Sequence, residues 1–319
     1  MTAVESATAA RGATTEPAVV SFDHVTHWYG NVVAVNDITL ELGPGVTGLL
    51  GPNGAGKSTI LHLLSGFLSP SRGAVTIGGA GPWRNPAIFD TVGLVPERDS
   101  VYAFLTAREF VTASARLHRM PDPKAAAERA LELVELTGAA DRTIQTYSKG
   151  MRQRAKVAAA LVHEPRVLLL DEPFNGMDPR QRMHMMDLLR ELGRNGSTIL
   201  FSSHILEEVE RLADTVQVVV AGRLAASGDY RTIRRLMTTR PHLFVLRSTD
   251  DRALARVLIA SPAVQGVSLG ENGLEVHASD HGTFTRELAK ASRAAGIGLR
   301  ELIPADESLE SVFAYLVGA

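Results

Sequence analysis

The stretch Gly51-Pro52-Asn53-Gly54-Ala55-Gly56-Lys57-Ser58-Thr59 decides the fold. It follows an apolar run, Val46-Thr47-Gly48-Leu49-Leu50, and leads into Ile60-Leu61-His62-Leu63-Leu64, which predicts a helix. Strand, glycine-rich loop and helix in that order are the setting of a phosphate-binding P-loop. Glycines let successive backbone N–H groups turn inward on phosphate oxygens, and the helix N-terminus adds a dipole of the right sign. In that arrangement Lys57 lies between the β- and γ-phosphates and Ser58 offers its hydroxyl to Mg²⁺, while Thr59 continues the junction into the helix. The bland reading is a glycine-rich turn with a surface lysine. A nine-residue match in this strand and helix context outweighs it, and predicts binding of a nucleoside triphosphate.

Working outward, the segments before the loop alternate: Val19–Phe22, Val25–Tyr29 and Ile38–Leu42 read as short antiparallel strands, split by turns at Gly30-Asn31 and Gly43-Pro44-Gly45. After the loop helix, Ala74–Ile77 and Val92–Val95 read as strands. Thr106–Leu117, Pro123–Leu136 (with Gly138 as its C-cap) and Met151–His163 carry helical spacing, and make a helical insertion over about 98–163. Strands at Val167–Leu170, Thr198–Phe201 and Val216–Val220 then alternate with helices at Pro179–Leu192 and Ile205–Leu212. That alternation predicts an α/β fold with a mainly parallel sheet covered on both faces.

The expected domain organisation is a tail over 1–17 without order, a main domain over 18–230, a linker over 231–240 and an accessory domain over 241–319. The accessory domain reads β-α-β-β-α-β with a hairpin around Glu271-Asn272-Gly273 and a last helix Leu309–Leu316, a ferredoxin-like α+β order.

Composition narrows the function classes. At 319 residues the chain fits two domains, and a formal net charge of −2 gives no basic footprint for nucleic acid. The absence of cysteine excludes disulfides, thiol catalysis and thiolate metal sites, and is compatible with a reducing cytosol. No apolar run approaches the length that spans a bilayer as a helix. The N-terminal segment lacks the basic-then-apolar layout of a signal peptide.

A second site selects among P-loop proteins. The apolar strand Val167–Leu170 ends in Asp171-Glu172-Pro173, two adjacent carboxylates that point in different directions. Asp171 suits Mg²⁺, and Glu172 suits the general base for an attacking water.

Together these residues resemble the nucleotide-binding subunit of ATP-binding cassette (ABC) transporters, from about Val19 to Asp229. Tyr147-Ser148-Lys149-Gly150-Met151 resembles the family's Leu-Ser-Gly-Gly-Gln signature, with Lys149 and Met151 departing from it. The resemblance implies a P-loop NTPase cassette with an antiparallel β subdomain and a helical subdomain. It also implies ATP and Mg²⁺ as ligands and hydrolysis of ATP. Ser148, Lys149, Gly150 and Met151 would then contact the ATP held by an opposite subunit, and Ser148 also suits a helix N-cap. The same resemblance gives Tyr29 to adenine stacking, with packing as its ordinary alternative, and Glu97, where glutamine is usual, to Mg²⁺ or its water. It gives His204 to the γ-phosphate and Asp178 to a loop crossing the dimer interface, where an N-cap before Pro179 is the alternative.

The partners implied are a second copy of the chain, or a related cassette, and an integral membrane permease carried on a separate chain. The protein would then be cytoplasmic and peripheral on the inner face of the cell membrane. The apolar segment Val101-Tyr102-Ala103-Phe104-Leu105 corresponds to the docking region, although burial in the helical subdomain is its plainer reading. Asp306–Phe313 resembles the ending of cassettes that serve export permeases, and Ser308 there is also an N-cap. The rival reading is a soluble cassette acting as a nucleic-acid or ribosome-associated switch. The single cassette and the lack of basic charge weigh against it.

Overall fold

A computed structural model describes residues 19–98, 100–237, 241–270 and 273–318. The tail expected over 1–17 and two residues of the expected hairpin, Glu271 and Asn272, lie outside them. The chain divides into two compact units, one ending at Ser227 and the other beginning at Gly228.

The first unit opens with β1 (Val20–Tyr29), β2 (Val32–Leu42) and β3 (Gly45–Leu50). Two of the expected short strands are one: β1 runs on through Asp23-His24 because its pairing with β2 slips there as a bulge, with His24 at φ 48°. β2 likewise begins earlier than the expected Ile38, and the carboxylate of Asp37, at φ 54°, accepts a 2.8 Å hydrogen bond from His24 Nδ1. With β4 (Arg72–Ile77), these strands form an antiparallel sheet of order β2-β1-β4.

Helix α1 (Lys57–Leu64) follows the glycine loop, and β5 (Val92–Val95) precedes the helical insertion of α2 (Ala107–Leu117), α3 (Pro123–Leu133) and α4 (Lys149–Leu161). A capping box at Thr106 and Glu109 starts α2, and the Asp122 side chain caps α3. Helix α3 stops three residues short of the expected Leu136. Glu135 turns left-handed at φ 53° and Leu136 N–H donates back to the Leu131 carbonyl at 2.9 Å, the six-to-one bond of a Schellman ending. Gly138 therefore belongs to a separate 3-10 turn, Thr137–Ala139, and is not the cap.

The remaining elements of this unit are β6 (Val167–Asp171), α5 (Pro179–Arg194), β7 (Thr198–Ser202), α6 (Leu206–Leu212), β8 (Thr215–Val220) and β9 (Arg223–Gly228). The six-stranded sheet has the order β5-β6-β7-β3-β8-β9, with parallel pairing from β5 through β8. Every residue of β6 and β7 is buried, as befits strands covered on both faces. The carboxyl ends of β3, β6 and β7 lie side by side, and Asp171 pairs in register with Ser202. That edge holds the site, as is general for open α/β sheets.

The second unit contains α7 (Tyr230–Leu236), β10 (His242–Ser248), α8 (Asp251–Leu258), β11 (Val264–Gly270), β12 (Gly273–Ala278), α9 (His281–Ala294), β13 (Leu299–Pro304) and α10 (Leu309–Val317). The sheet order β11-β12-β10-β13, antiparallel throughout, is the ferredoxin-like arrangement. The span expected as a linker begins instead as α7, capped by Asp229 and packed on α10. Its Arg234, with no solvent exposure, donates to Asp306 and to the Pro241 carbonyl, which makes a helix of a segment that reads as basic and polar.

Candidate ATP site

The glycine loop is held by close backbone approach. Gly56, at φ 107°, caps α1, and a Cβ there would lie 2.4 Å from the Ala34 carbonyl oxygen, so only glycine fits. The loop closes around Lys57, whose Nζ donates to the carbonyls of Gly51 at 2.7 Å and Pro52 at 3.2 Å. Burial pulls the Lys57 ammonium below its ordinary pKa, against the attraction of Glu172, Asp171 and Glu97.

These groups line a cavity of about 520 Å³. Of the residues expected at the site, Asn53, Gly54, Gly56, Lys57, Ser58, Thr59, Glu97, Asp171, Glu172 and His204 face it, joined by Ala34 and Asn175. Asp171 is fixed from two sides: Ser58 Oγ donates to its Oδ2 at 3.1 Å, and Ser202 Oγ donates to Oδ1. Ser202 is the functional residue that sequence reasoning missed. The signal available was a hydroxyl at the end of the otherwise apolar strand Thr198–Ser202, next to a strand ending in a carboxylate.

Glu172 leaves β6 in the left-handed region at φ 50°, a conformation costing roughly 1–2 kcal/mol for a residue with a side chain. Ser202 holds it there, accepting from the Glu172 N–H at its carbonyl, 3.2 Å, and at its hydroxyl, 3.1 Å. The turn separates Glu172 from Asp171 and lays its carboxylate 2.8 Å from His204 Nδ1. Burial raises the Glu172 pKa, and the His204 contact partly offsets that.

Ser58 Oγ and the Asp171 carboxylate, with Glu97 on the same cavity wall, are hard oxygen donors of the kind Mg²⁺ selects. Among the described residues no group of three or more His, Asp or Glu side chains forms a metal cage. Such a sparse set fits a small ion that keeps its waters and shares phosphate oxygens.

The other expected residues lie off this cavity. Tyr29, at the end of β1, is about half exposed and packs edge-on against His27. Ser148 caps α4, accepting from Met151 N–H at 3.2 Å, and Asp178 caps α5, accepting from Gln181 N–H at 2.9 Å. Lys149, Gly150 and Met151 form the first turn of α4. A Cβ at Gly150 would come within 2.7 Å of the Gly176 carbonyl oxygen, so the loop before Asp178 packs directly on the start of α4.

The "ABC transporter" family model matches residues 35–175. The chain is 31% identical to the linearmycin resistance ATP-binding protein LnrL of Bacillus subtilis (strain 168), over 93% of this chain and 97% of the relative. The chain belongs to the ABC transporter family. It is an ATP-binding subunit and an ATPase of that family. The daunorubicin resistance ATP-binding protein DrrA3 of Streptomyces coeruleorubidus is 33% identical over 94% of this chain and 96% of its own. A solved ATP-binding subunit of an ABC transporter superposes with a TM-score of 0.63 at 29% identity, covering 68% of this chain and 92% of that one. The cavity thus joins the glycine loop, the Asp171-Glu172 pair and His204, and the first turn of α4 lies outside it. No helix among the described residues is long and apolar enough to cross a membrane.

Proposed function

We propose that this ABC ATPase dimerises head to tail around two ATP molecules and drives a separate membrane permease in the export direction. The observation that carries the proposal is the division of the site. The groups suited to hold and hydrolyse the nucleotide share one cavity, and the anion-attracting start of α4, with Ser148 and Gly150, lies off it. A second copy supplies that missing wall.

In this reading Lys57 and the loop amides hold the β- and γ-phosphates. Ser58, Asp171 and Glu97 would hold Mg²⁺, which supplies charge neutralisation on the phosphates. Glu172 takes the proton of the attacking water, and His204, 2.8 Å away, orients its carboxylate. Ser148 and the N–H groups of the first α4 turn meet the γ-phosphate bound by the partner. Tyr29 stacks on adenine, and Asp178 lies at the dimer seam. ATP thus stabilises the closed dimer and hydrolysis releases it.

The permease reading rests on exposed apolar surface in the first unit. Tyr102 and Phe104 are 60% and 75% exposed, with Val101 and Leu105 half-buried behind them. The Tyr102 ring touches Phe110, which lines a neighbouring cleft of about 680 Å³ together with Phe67, Phe89 and Leu117. Contiguous exposed aromatics of this kind mark a docking surface, here for a cytoplasmic segment of the permease. The relatives named for resistance, and for Nod factor export in Rhizobium leguminosarum bv. viciae, favour export. The protein would accordingly lie on the cytoplasmic face of the membrane.

Affinity capture of the Glu172→Gln protein from gently solubilised membranes of its own host tests this. Recovery of a polytopic membrane protein that is lost on replacing Tyr102 and Phe104 by serine supports the reading. Recovery of ribosomes or nucleic acid without any membrane protein overturns it in favour of a soluble switch.

A further inference from the structure

Lys156 lies on α4, two helical turns beyond the signature serine, and is 3% exposed. Its ammonium donates to three consecutive carbonyls of the loop after β5: Pro96 at 2.7 Å, Glu97 at 3.3 Å and Arg98 at 3.2 Å. Three consecutive backbone acceptors turned onto one buried cation tie that loop to α4 by charge-assisted hydrogen bonds, even though Glu97 and Arg98 themselves are exposed. The Glu97 side chain projects from the same loop onto the wall of the ATP cavity, close enough to Lys57 to act on its ammonium. On its other side Lys156 lines the cleft with Phe110 and Leu117. The same helix touches the second carboxylate segment, where Gln153 Nε2 donates to the Glu172 carbonyl at 3.4 Å.

We propose that Lys156 is the positioning residue for Glu97: by gathering the carbonyls of residues 96–98, it sets the Glu97 carboxylate where Mg–ATP meets it, and so ties that carboxylate to the helix that begins with the signature. The proposal rests on the reading of Glu97 and Glu172 given above. A lysine does this where a neutral residue does not, since only an ammonium presents three donors at one point.

The test uses the full chain in a Glu172→Gln background, where nucleotide binding is read without turnover. Lys156→Met keeps the length and apolar stem but removes all three donors. Its affinity for a fluorescent ATP analogue without metal should stay within about threefold, while the Mg²⁺ concentration giving half-maximal tightening rises at least about threefold. Glu97→Ala should produce the same rise, and the double variant no further one, because both changes remove one interaction. In the otherwise wild-type chain, Lys156→Met should lower kcat about tenfold or more with little change in KM. Additive Mg²⁺ shifts, or an unshifted Mg²⁺ requirement in either single variant, overturn the assignment. Should Lys156→Met fail to fold, Lys156→Gln, which keeps a polar head but loses the three-donor ammonium, is read in the same way: a raised Mg²⁺ requirement supports the assignment and an unshifted one overturns it. Wild-type turnover by Glu172→Gln would instead bring down the underlying reading of the site.

Discussion

Replacing Glu172 by glutamine removes a proton acceptor and little else. The side chain is 12% exposed, and its Oε2 lies 2.8 Å from His204 Nδ1, a contact that glutamine can retain through its amide oxygen. General-base catalysis contributes on the order of 10²–10⁴ in rate, so phosphate release should fall by that factor. That corresponds to about 2.7–5.4 kcal/mol of lost transition-state stabilisation. ATP affinity should change less than about twofold, because Lys57 and the loop amides are untouched. Phosphate release under steady state and single turnover, beside titration with a non-hydrolysable analogue, separates the two. In the wild type, the acidic limb of kcat should lie above the ordinary carboxylate value of 4.5, since burial raises the Glu172 pKa. A raised carboxylate pKa means the folded state holds the proton more tightly than the unfolded chain does. Glu172 therefore costs stability above its folded pKa, and that cost disappears as pH falls below the unfolded value. The glutamine variant should accordingly melt higher at pH 7, with the gain vanishing near pH 4. Hydrolysis within about threefold of wild type would refute the assignment of Glu172 as base.

Lys57→Ala should weaken ATP binding about 10- to 150-fold, the worth of a charge-assisted hydrogen bond of about 1.5–3 kcal/mol; calorimetry showing unchanged affinity would contradict its phosphate role. Arg234→Met should destabilise the second unit by about 3–5 kcal/mol in denaturant unfolding, because it strands the buried Asp306 carboxylate. Arg234→Met/Asp306→Leu should recover most of that loss, and a single variant as stable as wild type would contradict the pairing. Burial lowers the His163 pKa from 6.5 to about 4, so the unfolded chain takes up that proton first and stability falls as pH drops through this window. His163→Phe should flatten the fall in Tm there, and an unchanged slope would refute the contribution.

Much of the site was legible because its chemistry is written in contiguous residues. The loop from Gly51 to Thr59 and the pair Asp171-Glu172 each declare a task at a strand end, and the parallel pairing of β3, β6 and β7 brings them together. What stayed hidden depends on contacts distant in sequence. Ser202 earns its place only through the register that sets it opposite Asp171, and Lys156 reads as one more helical lysine until its three carbonyl partners are seen. The φ of Glu172 is likewise a tertiary property, fixed by hydrogen bonds to Ser202. In the second unit the strand order was readable from alternation, whereas α7 was not, because its fixing contact joins Arg234 to Asp306 across 72 residues. Strand boundaries failed at Asp23-His24 for a similar reason: a bulge absorbs two turn-like residues that local preference reads as a break.

The central claim is that ATP bound by one subunit is completed by the signature of another. Light scattering on the Glu172→Gln protein, with and without Mg–ATP, tests it most directly. The account predicts the chain mass of 34.2 kDa without nucleotide, twice that with ATP, and return to the single mass when Ser148→Arg is added. A Ser148→Arg/Glu172→Gln protein that dimerises with ATP as well as Glu172→Gln does, or a Glu172→Gln protein that stays monomeric at saturating ATP, would contradict it.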